Sequence, residues 1–96
     1  LFSPRGDYRD FELRARVKIN DKGSSGMYFR VAYGPGWPEG YEAQVNSTFG
    51  DPQKSGSLYG LQPILTRLIP PDVWFTQHIV VRDVADGVHI RILLND

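Results

Sequence analysis

Two tyrosines, an arginine, a glutamate and a glutamine recur here at spacings that a β-strand brings to one surface. Tyr28 and Arg30 lie in Ser25-Gly26-Met27-Tyr28-Phe29-Arg30, and Glu42 and Gln44 lie in Gly40-Tyr41-Glu42-Ala43-Gln44. Tyr59 lies in Ser55-Gly56-Ser57-Leu58-Tyr59-Gly60. Side chains alternate faces along a strand, so Met27, Phe29 and Val31 share one side while Tyr28 and Arg30 share the other. By the same rule Tyr41, Ala43 and Val45 oppose Glu42 and Gln44. A guanidinium offers a rigid fork of donors, a carboxamide both donor and acceptor, and a tyrosine an apolar plate with a polar tip. That combination suits a polyhydroxyl ligand, and the residues point to sugar.

Among these groups Glu42 is the leading acid/base candidate, because aromatic neighbours and burial can tune a carboxylate's proton affinity. Read from the residues alone, a solvated or salt-bridged strand carboxylate, with Arg30 as one candidate partner, is the stronger account of it. Arg30 would orient hydroxyls or steady negative charge on a carbonyl oxygen, and a cross-strand ion pair is compatible with that role. Gln44, Tyr28 and Tyr59 are candidate sugar contacts, with ordinary sheet-surface duties as the alternative. Trp37, in Gly34-Pro35-Gly36-Trp37-Pro38, is a candidate stacking platform or a loop anchor. Trp74 opens a strand and reads as core or edge packing. His78 and His89 fall opposite the apolar stripe of the last hairpin and read as surface residues. They make no metal-ligand spacing, so no metal or other cofactor is expected. Asp51, in a loop, is a second carboxylate whose position nothing in the sequence fixes.

The elements that position these residues follow a two-residue period. Phe11, Leu13, Ala15, Val17 and Ile19 alternate with Glu12, Arg14, Arg16 and Lys18, which predicts a half-buried strand with its charged side in water. Asn20-Asp21-Lys22-Gly23 is a turn cluster. Further strands are predicted over Met27 to Ala32 and Tyr41 to Asn46, with a short strand or edge over Ser57 to Leu61. Residues 49–56 read as polar loop, and Gln62 to Asp72 as a long connection in which Ile64 to Ile69 could form a helical turn. In the last hairpin, pairing Val81 with Val88 and Ile79 with Ile90 keeps apolar residues on one face and leaves Arg82 to Gly87 as the turn region. No sustained helical period is present, so the chain reads as all-β.

Composition narrows the class. The chain has 96 residues, 41% of them apolar and 23% charged, which suits one small folded domain. Eleven basic and eleven acidic residues cancel, leaving no electrostatic footprint of a nucleic-acid binder. No apolar run is long enough to span a membrane as a helix. Cysteine is absent, which removes disulfides and thiolate chemistry together. Asn46-Ser47-Thr48 matches a glycosylation sequon, a triplet frequent by chance.

Taken in order, Tyr8-Arg9-Asp10-Phe11-Glu12-Leu13-Arg14, Ser25-Gly26, Phe29-Arg30, the Gly-Tyr-Glu-x-Gln strand, the Ser-Gly-x-x-Tyr-Gly turn and Trp74 resemble the 3-keto-disaccharide hydrolase family, formerly a domain of unknown function. The resemblance runs from about Tyr8 to Asn95. It implies an antiparallel β-sandwich, a jelly roll of the concanavalin A-like lectin and glucanase type, with further terminal strands outside Leu1–Asp96, so that residues 1–96 would be one partial domain; a compact complete sandwich of six or seven strands is the alternative. It implies a bacterial, exported protein, periplasmic or extracellular, with carbohydrate as partner. It implies Glu42 and Arg30 as catalytic groups and strengthens the site reading of Glu42. The chemistry implied is elimination: a keto group at C3 acidifies the C2 proton, one base removes it, the C1 substituent leaves, and water adds. A non-catalytic carbohydrate-binding module and a protein-interaction sandwich are the alternatives.

Overall fold

The structure, a computed structural model, describes residues 9–31, 35–36 and 39–96. Among these residues five strands form: β1 (Phe11–Val17), β2 (Ser24–Phe29), β3 (Tyr41–Asn46), β4 (Phe75–Val84) and β5 (Gly87–Leu94). They make two antiparallel sheets, one of order β1-β4-β5 and one of order β2-β3. The described residues are all-β, as the two-residue period predicts, and Ile64 to Ile69 form no helix. No helix among them is long and apolar enough to cross a membrane.

The sheets face each other through their apolar sides. Phe29 and Ala43 come from one sheet, Ile79 and Val81 from the other, and together they form the buried centre. Ile90 and Ile92 pack against it, opposite Val81 and Ile79 respectively. Phe29 is gripped by aromatic rings: Phe11 meets it edge-on at 5.9 Å and Tyr41 stacks on it at 5.6 Å. Gln77 lies on this inner side and is fully buried; its Nε2 donates across the gap to the Gln44 carbonyl at 3.3 Å. That bond ties the first half of β4 to β3, the strand that carries the site.

On β1, Glu12, Arg14, Arg16 and the following Lys18 are exposed, as alternation requires. The opposite stripe is covered less than expected. Phe11, Ala15 and Val17 are half-buried, but Leu13 remains 42% exposed. The physical reason is width: β1 is an edge strand of its sheet, and the facing sheet has only β2 and β3 among the described residues.

The hairpin register differs from the expected one by two residues. Val81 pairs with Ile90 and Ile79 with Ile92, and the chain reverses through Ala85-Asp86 between the paired Val84 and Gly87. A two-residue shift preserves the faces, so the apolar stripe is as expected. The tighter reversal adds paired rows at Asp83–Val88 and Val84–Gly87, and those ladder bonds decide the register. His78 also departs from expectation: it is 7% exposed, with Nε2 2.6 Å from Glu12 Oε1. It sits on the middle strand, where Arg14 and Leu93 flank it on either side.

The second strand begins and ends earlier than Met27 to Ala32. It stops at Phe29 because Arg30 takes a left-handed backbone with φ of 58°, uncommon for a residue with a side chain. The expected end at Ala32 lies outside the described residues. The Arg30 side chain, 18% exposed, donates from Nη1 to Asp83 Oδ1 at 3.0 Å and from Nη2 to the Arg9 carbonyl at 2.7 Å. Asp83 also receives Arg9, while its backbone N–H donates to Asp10 Oδ1 at 2.8 Å. Arg9, Asp10, Arg30 and Asp83 thus close one end of the sandwich. The hydrogen bond from Arg30 is the main cause that holds the Asp83 carboxyl below its ordinary value.

Replacing Phe29 with Ala removes the ring between Phe11 and Tyr41 and should cost about 3–5 kcal/mol in urea unfolding. Leu13→Ala, at the uncovered position, should cost about 1 kcal/mol or less. The reverse order would mean the core is centred elsewhere. Asp83 makes a pH prediction. Its folded pKa is depressed, so its contribution is present above the unfolded value near 3.8 and is lost as pH falls through the lower folded value. Unfolding midpoints below pH 3.8 should therefore fall less steeply in Asp83→Asn than in the parent chain.

Candidate functional site

The outer face of the two-stranded sheet holds a concavity of about 500 Å³, lined by Ser24, Ser25, Gly26, Tyr28, Glu42, Gln44, Phe49, Asp51 and Tyr59. Pairing explains the selection. Tyr28 stands opposite Glu42 and Gly26 opposite Gln44 in the ladder, so these residues share the face turned away from Met27, Phe29, Ala43 and Val45. Along the other side of β3, Leu58 bridges to Ala43; the Tyr59 N–H donates to the Glu42 carbonyl at 2.9 Å and the Gln44 N–H to the Ser57 carbonyl at 3.1 Å. The expected strand over Ser57 to Leu61 is thus a short edge segment, and it brings Tyr59 beside Glu42.

Polar bonds knit the loop between β3 and this edge. Asn46 Nδ2 donates to the carbonyls of Asp51 and Gln53, each at 3.0 Å, and its Oδ1 accepts from the Phe49 N–H at 2.9 Å. Lys54 Nζ donates to the carbonyls of Phe49 and Asp51. Asp51 Oδ1 accepts from the Gln53 N–H, closing an Asx turn, and Oδ2 accepts the Tyr59 hydroxyl at 2.6 Å. Phe49 and Asp51 are thereby held at the pocket wall. With its side chain fully engaged, Asn46 is only 1% exposed, so the sequon is buried in the folded chain.

Burial is the main cause that raises the Glu42 carboxyl above its ordinary value; the Asp51 charge adds to it and a hydrogen bond from Tyr28 opposes it. The Tyr28 hydroxyl is raised as well, first by burial and then by the Glu42 charge. Asp51 is lowered, chiefly by the Tyr59 hydrogen bond. Two carboxylates in one pocket are therefore pushed in opposite directions, Glu42 towards holding a proton and Asp51 towards releasing it. Neither has a cation among the lining residues.

Of the residues singled out in the sequence, Glu42, Gln44, Tyr28 and Tyr59 come together. Arg30 does not join them. Alternation would have set it beside Tyr28, but its left-handed backbone turns it to Asp83 on the other sheet. Trp37 lies outside the described residues. Of the core or edge packing expected for Trp74 the structure has the second: it is 55% exposed, with Lys18 Nζ 5.2 Å and Arg16 Cζ 5.9 Å from its ring centre. His89 is exposed. No three His, Asp or Glu side chains gather as a metal-holding group among the described residues.

Sequence reasoning missed the part played by Gly26. A Cβ built there would lie 2.1 Å from Glu42 Oε2 and 2.8 Å from both Glu42 Cγ and Cδ. The glutamate side chain lies across the bare backbone of the neighbouring strand, and only a glycine leaves room for it. The available signal was a glycine inside a strand, which marks a close approach by another group. Phe49 carried no comparable signal.

The chain matches, over residues 1–96, a family described as 3-keto-alpha-glucoside-1,2-lyase-like domain. No curated protein and no solved structure matches it.

Gly26→Ala should separate the site from the fold. The obstructing atoms belong to a flexible side chain, and alanine suits a strand better than glycine, so stability should change by no more than about 1 kcal/mol. The Glu42 carboxyl should be displaced towards water and its pKa, followed by NMR titration, should fall towards 4.5. An unchanged titration would show that Gly26 does not place Glu42.

Proposed function

The chain belongs to the 3-keto-alpha-glucoside-1,2-lyase-like domain family, and we propose that it cleaves a 3-keto-glycoside at the Glu42 pocket by base-assisted elimination. The observation that carries this reading is a pocket that gathers Glu42 with Tyr28, Gln44, Tyr59 and Phe49 and lays the carboxylate across Gly26. Burial there raises the Glu42 carboxyl, which serves a base that must take a weakly acidic proton near neutral pH.

In this reading Glu42 takes the C2 proton of the bound keto-sugar. The C2–H electron pair passes to the C3 oxygen as an enolate and returns to form the C1=C2 bond as the C1–O bond breaks, and the departing oxygen takes the proton that Glu42 removed. Addition of water across the new double bond completes hydrolysis; release before that step leaves the unsaturated sugar. The donor for the developing enolate oxygen, assigned to Arg30 by sequence, passes to the Tyr28 hydroxyl beside the carboxyl. Gln44, Tyr59 and Phe49 supply hydrogen bonds and an apolar wall to the ring. Arg30 positions β2 against the facing sheet. A pocket lined by two carboxylates and no cation favours an uncharged sugar over a uronate or sugar phosphate.

One observation favours a second reading, a carbohydrate-binding module on the same face: Arg30, the expected charge stabiliser, bonds to Asp83 instead.

Glu42→Gln decides between them. On a 3-keto-glucoside it should lower kcat/KM by about 10²–10⁴ while affinity changes by only a few-fold. Undetectable turnover in the parent chain with intact sugar binding would establish the module, and full turnover in the variant would remove Glu42 from the mechanism. The base acts deprotonated, so the acid limb of the rate profile should lie above pH 4.5. Asp51→Asn removes a like charge and should move that limb to lower pH.

A further inference from the structure

We propose that the outer face of the three-stranded sheet is a second carbohydrate site, one that docks an anionic polysaccharide such as a polyuronate. Formal charge cancels over the whole chain but not over its surface. The ladder turns Arg14, Arg16, Arg82 and Arg91 outward, and Lys18 continues the same side of β1; all five are exposed. The single carboxylate in those rows is Glu12, already engaged by His78 at 2.6 Å and Arg14 at 3.5 Å. Among the described residues no ion pair engages Arg16, Lys18 or Arg91. Arg82 is held outward by bonds to the Phe11 and Val81 carbonyls at 3.0 and 2.9 Å, which fix its position without neutralising its charge.

Spacing favours a chain of charges over a single anion. Same-face neighbours on a strand stand about 7 Å apart, and two strand spacings across the sheet make about 10 Å. Arg14 and Arg16 sample the first distance, and β1 to β5, where Arg91 lies, samples the second. Trp74 supplies what charge alone does not. Its ring is 55% exposed and flanked by Lys18 and Arg16, so an apolar plate lies among the cations, suited to the C–H face of a pyranose. A membrane surface would be met by several projecting apolar side chains clustered together, whereas on this face the well-exposed Trp74 and Val84 stand at opposite ends of β4. The anionic polymer is distinct from the uncharged sugar read into the Glu42 pocket on the other sheet, and docking there would hold the domain on a matrix while the pocket works.

The test is affinity of the full chain for polygalacturonate, by calorimetry at low and high salt, beside neutral dextran, anionic phospholipid vesicles and duplex DNA. Polygalacturonate should bind, weaken with salt, and exceed all three others. Arg14→Glu with Arg91→Glu should lower affinity about tenfold or more, and Trp74→Ala about threefold to tenfold at unchanged charge. If circular dichroism shows the double reversal misfolded, Arg14→Gln with Arg91→Gln takes its place and should also weaken binding. Glu42→Gln should bind polygalacturonate like the parent, which separates this site from the pocket. Absent binding, tighter binding to vesicles or DNA, or full affinity in the double or Trp74 variants would overturn the proposal.

Discussion

The burial of Ala43 and Val45 is the constraint on which the rest of this structure depends. Both are essentially inaccessible, and Ala43 packs with Ile79 and Val81 of the facing sheet. Because a strand alternates strictly, that burial leaves Glu42 and Gln44 only the outer face. The strand is flanked on both edges, by β2 and by the segment around Leu58, so it cannot slip or twist to relieve the carboxylate. Desolvation of Glu42 is thus an indirect product of the core: apolar packing on one side fixes where a charge must sit on the other.

Arg30 shows where alternation stops governing. The rule holds only while the backbone stays extended, and a left-handed residue at the end of β2 redirects the side chain. The electrostatic return is visible in its partners, since a mostly buried guanidinium finds Asp83 and the Arg9 carbonyl. Charge that alternation would have assigned to the pocket serves instead to join β1, β2 and β4 at one end.

This contrast explains what the sequence disclosed. The Phe11 to Val17 alternation, the Tyr41 to Asn46 strand and the common face of Glu42 and Gln44 all follow from period two, and the structure has them. The hairpin faces were equally legible, but the register was not, because a two-residue shift leaves the apolar pattern intact and only the turn distinguishes the alternatives. His78 was misread because its burial depends on standing in the middle strand, and strand order is not written in a local pattern. Asp51 depended on a network of loop hydrogen bonds centred on Asn46, and Gly26 on the path of a side chain from the neighbouring strand. Both are tertiary facts carried by residues whose types alone are ambiguous.

The burial of Asn46 bears on how the chain can be made. Eukaryotic secretory cells attach glycans to Asn-x-Ser/Thr triplets while the chain is still unfolded, and this asparagine would then meet the transferase before its amide reached Asp51 and Gln53. A glycan on that nitrogen would take up the donor that holds the loop and would have no room inside it. Modification and native folding are therefore mutually exclusive at this position. Intact mass of material secreted from such a host would show it: correctly folded chains should carry no glycan, and any glycosylated fraction should be the misfolded one.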